Sequence, residues 1–198
     1  MKRLKLILIG LTITFLLNGQ TKIKGGITLS SLSWDISRNS KYISKTLLGY
    51  SASIGMDYFD RTYYNLSFSM GVLRKGGVVR VSSYMYDGTE SIQLDYVSFN
   101  TTIDFKYPIK KLAPFVSIGP RVDYIISHDD SFKNINKFST GVLLGAGIKY
   151  NFSKIQIGFQ ADYFMNFNRI VNQPSSSDNY GTKVNDRTFA LSLILGIL

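Results

Sequence analysis

Apolar and polar residues alternate strictly along much of this chain, in runs of roughly ten or more. A tilted strand needs about 9–11 residues to cross a hydrocarbon layer, whereas strands of soluble domains run to about half the length seen here. Over residues 47–59 the even positions are Leu48, Tyr50, Ala52, Ile54, Met56 and Tyr58, set against Gly49, Ser51, Ser53, Gly55 and Asp57. The same split separates Tyr64, Leu66, Phe68, Met70 and Val72 from Asn65, Ser67, Ser69 and Gly71. It recurs at 116–126, 142–150, 155–165 and 189–197, and segments 22–34 and 92–107 complete a set of eight. Helical periodicity and heptads are absent.

One segment changes phase. Ile92, Leu94 and Tyr96 are apolar at even positions, whereas Val97, Phe99, Ile103 and Phe105 are apolar at odd ones. A bulge near Tyr96 and Val97 would restore a single greasy face, Val97, Phe99, Ile103 and Phe105, with Ser98, Asn100, Thr102, Asp104 and Lys106 behind it.

The connections alternate in length, as expected of up-and-down strands with short turns at one end and longer loops at the other. Short ones fall at Asp60 to Thr62, Tyr107 to Leu112 and Asn151 to Lys154; longer polar ones fall near 35–46, 82–91, 128–137 and 171–186. Aromatics crowd the short turns (Tyr58, Phe59, Tyr63, Tyr64, Phe105, Tyr107, Phe115, Tyr150 and Phe152), the pattern of an interfacial girdle. The expected fold is therefore all-β, an eight-stranded antiparallel up-and-down transmembrane β-barrel.

Charge identifies the inner face. Lys22, Lys24, Asp57, Asp104, Lys106, Arg121, Asp123, Lys149 and Asp162 all lie opposite the apolar stripe, with both signs represented. Eight strands enclose a space that side chains fill, so these groups are expected to pair as a network plugging the lumen. A selective channel lining is the alternative. A soluble lipocalin-like barrel would need the reverse arrangement, an apolar lumen and a polar exterior wide enough to wrap it.

The N-terminus supplies a location. Lys2, Arg3 and Lys5 precede an apolar run from Leu6 to Leu17, and a small residue, Gly19, stands before Gln20. That is the pattern of a secretory signal peptide over 1–19, with the barrel domain at 20–198, because the apolar run is short of the roughly 20 residues a membrane-spanning helix requires. The chain has no cysteine, which rules out disulfides, thiolate metal sites and a lipid-anchored cysteine. Without the three basic residues of the leader, the formal charge of +10 falls to about +7. Such a surplus suits acidic lipid or phosphate-bearing sugar. In an envelope protein, nucleic acid is not the expected partner.

The chain resembles the small outer-membrane β-barrel proteins of Bacteroidetes, the PorT-like or porin-family β-barrel domains. The resemblance rests on the segment Gln20-Thr21-Lys22-Ile23-Lys24-Gly25-Gly26-Ile27-Thr28-Leu29-Ser30 and the closing Asp186-Arg187-Thr188-Phe189-Ala190-Leu191-Ser192-Leu193. Leu94-Asp95-Tyr96-Val97-Ser98-Phe99 is similar to that family's mid-barrel strand without its usual proline. Barrels of this kind commonly end in an aromatic residue, and this chain ends in Leu198. The resemblance implies a bacterial outer-membrane location, periplasmic termini, and a role as scaffold, surface-binding protein or accessory subunit of a secretion complex.

Two functional classes follow. One is a non-enzymatic envelope scaffold whose outer loops meet lipopolysaccharide, lipid or an envelope protein, with Arg38, Lys41, Lys45, Lys133, Lys137 and Lys183 as candidate phosphate contacts. The other is an accessory subunit of an outer-membrane secretion or transport complex, or a narrow porin-like channel. Catalysis has one candidate cluster, His128, Asp129, Asp130 and Ser131, but consecutive turn residues point in different directions, and no catalytic residue is assigned. Asp129 and Asp130 with Asp87 or Glu90 lack EF-hand spacing, and Gly145-Ala146-Gly147 lacks the helix a phosphate loop requires, so no metal or cofactor is expected.

Overall fold

A computed structural model describes residues 19–36, 40–83, 86–128, 135–173 and 182–197. Residues 1–18 of the expected leader fall outside these residues. The described chain forms β1 (Gln20–Ile36), β2 (Ser40–Ile43), β3 (Leu47–Tyr58), β4 (Tyr64–Ser83), β5 (Tyr86–Lys106), β6 (Leu112–His128), β7 (Phe138–Asn151), β8 (Ile155–Asn166), β9 (Val171–Gln173) and β10 (Thr182–Ile197). All pairings are antiparallel between neighbours, and β1 pairs with β10 from Thr21↔Ile197 to Ile36↔Thr182, closing the sheet on itself.

The ten strands make eight walls. β2 pairs with the far end of β1 while β3 pairs with its start, so β2 and β3 are one wall strand interrupted at residues 44–46. β8 and β9 stand in the same relation along β10, interrupted at 167–170. This is the eight-stranded antiparallel barrel expected from the alternation. Closure matters physically because hydrocarbon offers no partner to an unpaired backbone N–H or C=O, and a closed barrel has no edge to leave any.

Period-two alternation places side chains as the sequence indicates. Ile23, Ile27, Ile54, Met70, Phe99, Ile118, Ile148, Phe159, Leu193 and their neighbours form an exposed apolar band around the outside, while Lys22, Asp57, Asn65, Asp104, Asp123 and Lys149 are buried inside. The three short turns lie at one end of the barrel. They are tight: Arg61 N donates to Tyr64 O (2.9 Å) and Ile109 N to Leu112 O (2.7 Å). Phe59 and Lys110 take the left-handed conformation these turns require (φ 50° and 57°). Phe59, Tyr63, Tyr64, Phe105, Tyr107, Tyr150 and Phe152 are exposed around this turn end, as a girdle requires.

Three expectations need correction. Phe115 is not in the girdle: it occupies an inward position on β6 and is 4% exposed. β5 has no bulge and no change of phase, since its ladder with β4 runs unbroken from Tyr64↔Phe105 to Ser83↔Tyr86. The register shift beside Tyr96 lies on the partner strand, where Asp95 pairs with Ser127 and Tyr96 with Ile125, leaving Ile126 as the extra residue. Ile92, Leu94 and Tyr96 therefore face inward with Ser98, Thr102 and Asp104. Polarity misreported their direction because the barrel reverses at that level, with Ser91, Gln93 and Asp95 outside and an apolar cluster inside. Finally, the long loop expected near 82–91 is mostly ladder, so β4 and β5 extend as a hairpin beyond the other walls.

Leu193 sits midway along the outward apolar row of β10, from Phe189 to Ile197. Leu193→Arg is expected to destabilise the barrel by about 2–4 kcal/mol, the cost of a cation near the hydrocarbon midplane, read from reversible urea unfolding in lipid vesicles. A change below about 1 kcal/mol would place this face away from lipid.

Candidate functional site

The interior is built in layers. Nearest the turn end, Lys22 and Lys149 face Asp57 and Asp104. Lys22 Nζ lies 2.5 Å from Asp57 Oδ1 and 3.8 Å from Asp104 Oδ2, and Lys149 Nζ lies 3.4 Å and 3.8 Å from Asp57 Oδ2 and Asp104 Oδ2. Neutral donors complete the shell around Asp104, with Ser117 Oγ at 2.7 Å, Thr102 Oγ1 at 3.0 Å and Asn65 Nδ2 at 3.3 Å. Lys22 also donates to Ser67 Oγ. The Phe115 ring lies 4.8 Å from Lys149 Nζ, and it fits because Gly147 opposite it carries no Cβ; one would come within 2.6 Å of Phe115 Cζ.

Nearer the hairpin end is a second layer centred on Lys75. This lysine is fully buried, with Nζ 2.8 Å from Asp123 Oδ2 and 3.0 Å from Asp186 Oδ2. Arg121 Nε donates to Asp123 Oδ1 at 2.7 Å, and Nη2 lies 2.7 Å from Asp123 Oδ2. The guanidinium carbon of Arg121 stacks 3.6 Å from the centre of the Phe164 ring, and Lys75 Nζ lies 4.8 Å from that of Tyr96. Asn166 Nδ2 donates to the other oxygen of Asp186.

Around and beyond this layer the interior turns apolar. Leu32, Leu73, Ile92, Leu94, Tyr96, Ile125, Leu143, Phe164, Ile170, Val171, Val184 and Ala190 form one buried cluster, with Trp34 and Ile135 against it. Between the layers remains a cavity of about 50 Å³, lined by Lys24, Arg121 and Asp162 among others, with room for one or two waters. Gln160 Nε2 donates to Asp162 Oδ1 at 2.6 Å. Five cations (Lys22, Lys24, Lys75, Arg121, Lys149) thus share the interior with five carboxylates (Asp57, Asp104, Asp123, Asp162, Asp186), and the charge cancels.

Of the nine charges assigned to the lumen from sequence, Lys22, Asp57, Asp104 and Lys149 form the turn-end layer, and Arg121 and Asp123 belong to the second. Lys24 and Asp162 line the cavity between them. Lys106 does not join: it pairs with Asp60, which is partly exposed at the turn-end mouth. Lys75 and Asp186, an ion pair with both side chains almost wholly buried, lie outside the sequence assignment because the alternating segments stop at Val72 and Phe189. Lys75 continues the inward phase of Asn65, Ser67 and Ser69, and Asp186 that of Thr188 and Ala190, so longer strand bounds would have found both.

The surface candidates are scattered. Lys45 and Lys137 are exposed, the backbones of Lys41 and Lys183 lie in β2 and β10, and Arg38 and Lys133 fall outside the described residues. His128 is exposed at the end of β6, while Asp129, Asp130 and Ser131 lie outside the described residues.

A closed barrel with an apolar exterior and a charged interior is the arrangement of a membrane-embedded protein, and residues 14–172 match the family model described as outer membrane protein beta-barrel domain. The chain belongs to that family. Membership places this outer-membrane barrel in the bacterial outer membrane, crossing it with strands. Among solved structures, OprG from Pseudomonas aeruginosa is similar in fold, with a TM-score of 0.62 at 15% identity, covering 91% of this chain and 95% of that one. Neisserial surface protein A matches with a TM-score of 0.48 at 15% identity, over 89% and 96% of the two chains. The outer membrane enzyme PagL matches at 0.47 and 16%, over 86% and 99%. No curated protein sequence matches this outer-membrane barrel.

Removing one partner from a buried ion pair leaves an uncompensated charge, so Lys75→Met is expected to cost about 3–5 kcal/mol in vesicle unfolding. Lys106→Ala at the wetter mouth is expected to cost about 1 kcal/mol or less by the same measurement. Equal losses at the two positions would contradict the layered description of the interior.

Proposed function

We propose that this outer-membrane barrel is a non-enzymatic envelope scaffold with a closed lumen, which keeps its short turns and both termini in the periplasm and presents its hairpin end to the outside. The observation that carries this reading is the filling of the interior: two neutral layers of paired charge, with an apolar cluster sealing the hairpin half. An ion entering would have to break buried pairs or cross the apolar cluster, and both are costly. Long hairpins on one side and three-residue to five-residue turns on the other support the orientation, since outer-membrane barrels keep their short turns periplasmic.

The external face then offers basic residues, Lys45 and Lys137 among those with described side chains, to phosphate-bearing surface glycolipid. Within the family, the segments Gln20 to Ser30 and Asp186 to Leu193 favour the PorT-like branch of Bacteroidetes barrels. On that reading the partner is an envelope protein, and the outward band or the hairpins dock it.

The purified barrel in planar bilayers is expected to give no resolvable single-channel steps in 1 M salt. Stable conductance would support a narrow channel instead. Orientation can be read separately, because the chain has no native cysteine. Lys137→Cys is expected to react with a membrane-impermeant maleimide in intact cells, and Lys110→Cys only after the outer membrane is permeabilised. The opposite pattern would invert the barrel.

A further inference from the structure

The wall is interrupted between its last two strands. On β10 the ladder with β8 ends at Thr188↔Phe164, and the ladder with β9 begins only at Val184↔Val171. Three residues of β10, 185–187, therefore stand opposite six, 165–170. The first four follow β7, since Met165 and Asn166 pair with Val142 and Gly141, Phe167 N donates to Thr140 O at 2.8 Å, and Thr140 N donates to Asn168 Oδ1 at 2.7 Å; the chain returns to β10 at Ile170, whose N donates to Val184 O at 3.0 Å. What remains is a notch of about 730 Å³ cut into the wall, lined by Ser33, Asn185, Arg169 and Arg187 on its polar side and by Met165 and Phe167 on its apolar side.

The level of the notch is informative. On β10 the outward row is apolar from Ile197 to Phe189 and then turns to Arg187 and Asn185; on β1 it passes from Leu29 to Ser31 and Ser33; on β8 and the segment after it, from Met165 and Phe167 to Arg169. The outward rows of β1 and β10 thus change from apolar to polar at one height, between the pairs Leu29↔Phe189 and Ser31↔Arg187, while the β8 side stays apolar through Met165 and Phe167 before it reaches Arg169. Both arginines are exposed, and no carboxylate lies within 4.0 Å of either among the described residues. The acid that lines the notch, Asp186, turns inward and is already met by Lys75 at 3.0 Å. Two guanidinium groups beside an apolar wall, with no carboxylate partner among the described residues, match an amphiphile with an anionic head and acyl tails. Guanidinium groups suit phosphate in particular, offering planar pairs of N–H donors.

The geometry points to a binding site for a phosphorylated lipid of the outer leaflet: Arg169 and Arg187 hold the headgroup phosphate, with Asn185 and Ser33 beside it, and the acyl chains run down past Phe167, Met165 and Phe189. This rests on the proposed orientation, which puts the hairpin end in the outer leaflet. It identifies a wall site distinct from the loop lysines.

The test is native mass spectrometry of the full barrel in a neutral detergent, titrated with bis-phosphorylated lipid A and with its dephosphorylated counterpart. The wild type is expected to prefer the phosphorylated lipid, and Arg169→Gln/Arg187→Gln to bind it about ten-fold or more weakly, as loss of charge-assisted pairs implies. Its affinity for the dephosphorylated lipid should stay unchanged. Lys110→Gln/Lys111→Gln, at the turn end, should bind both lipids as the wild type does. Heat-modifiable mobility on a detergent gel reports folding of each variant; if the double variant does not fold, the single arginine variants are each expected to lose several-fold. Undiminished binding by the folded variants, or no preference of the wild type for phosphate, overturns the assignment. So does complete displacement of the lipid by millimolar inorganic phosphate, which would make this a free-phosphate site. Detergent titration does not depend on which end faces out, so a failure of orientation in cells and a failure of the site are told apart.

Discussion

Everything in this molecule depends on the pairing of β1 with β10. Sixteen consecutive partner positions, from Thr21 to Ile36, join the first strand to the last and remove the two edges an open sheet would carry into lipid. Closure then divides every strand into an outer row that must tolerate hydrocarbon and an inner row that must fill a narrow cylinder. The alternation of Ile54, Met56 and Tyr58 with Ser53, Gly55 and Asp57 is the consequence at the level of single residues.

Filling the cylinder is the harder requirement. The interior of an eight-stranded barrel has no bulk water to hydrate charge, so its charged groups persist by meeting each other at close range. The turn-end layer does this with lysines and aspartates surrounded by hydroxyls and an amide. The second layer places Lys75 between two carboxylates and beside aromatic rings, a drier setting in which loss of any one partner leaves a buried charge. Small residues make the fit possible: a Cβ on Gly145 would come within 2.4 Å of Asp162 Oδ1, just as one on Gly147 would meet Phe115. An interior of this kind favours rigidity over conduction, and it directs any recognition to the ends and the outer wall.

The wall itself is not uniform. The interruptions in the β2–β3 and β8–β9 strands lie on either side of the β1–β10 seam, where the barrel meets its hairpin extensions. At the second interruption, residues 165–168 follow β7 and leave β10, which opens a polar recess where the apolar band ends. A departure from ideal pairing therefore creates the part of the wall best suited to hold a ligand, while Asp186, at the same place, faces inward to complete the buried network.

Much of this architecture was legible in the residues alone. Period two over eight segments determined the strand number, the outer band and most of the inner charges, because in a closed barrel the direction of a side chain follows from its parity. Polarity could not report direction where the interior itself turns apolar: Ile92, Leu94 and Tyr96, inside a polar outer row of Ser91, Gln93 and Asp95, read as a change of phase, and Phe115, where both faces are apolar, as part of the girdle. Nor could it say which charges meet. Lys75 and Asp186 are 111 residues apart and Lys149 and Asp57 are 92 apart, and those contacts exist because barrel curvature brings opposite walls together. The sequence by itself determined which face of each strand lipid touches; tertiary structure alone decided the pairing across the lumen and the break in the wall, since both depend on register and closure between strands distant in the chain.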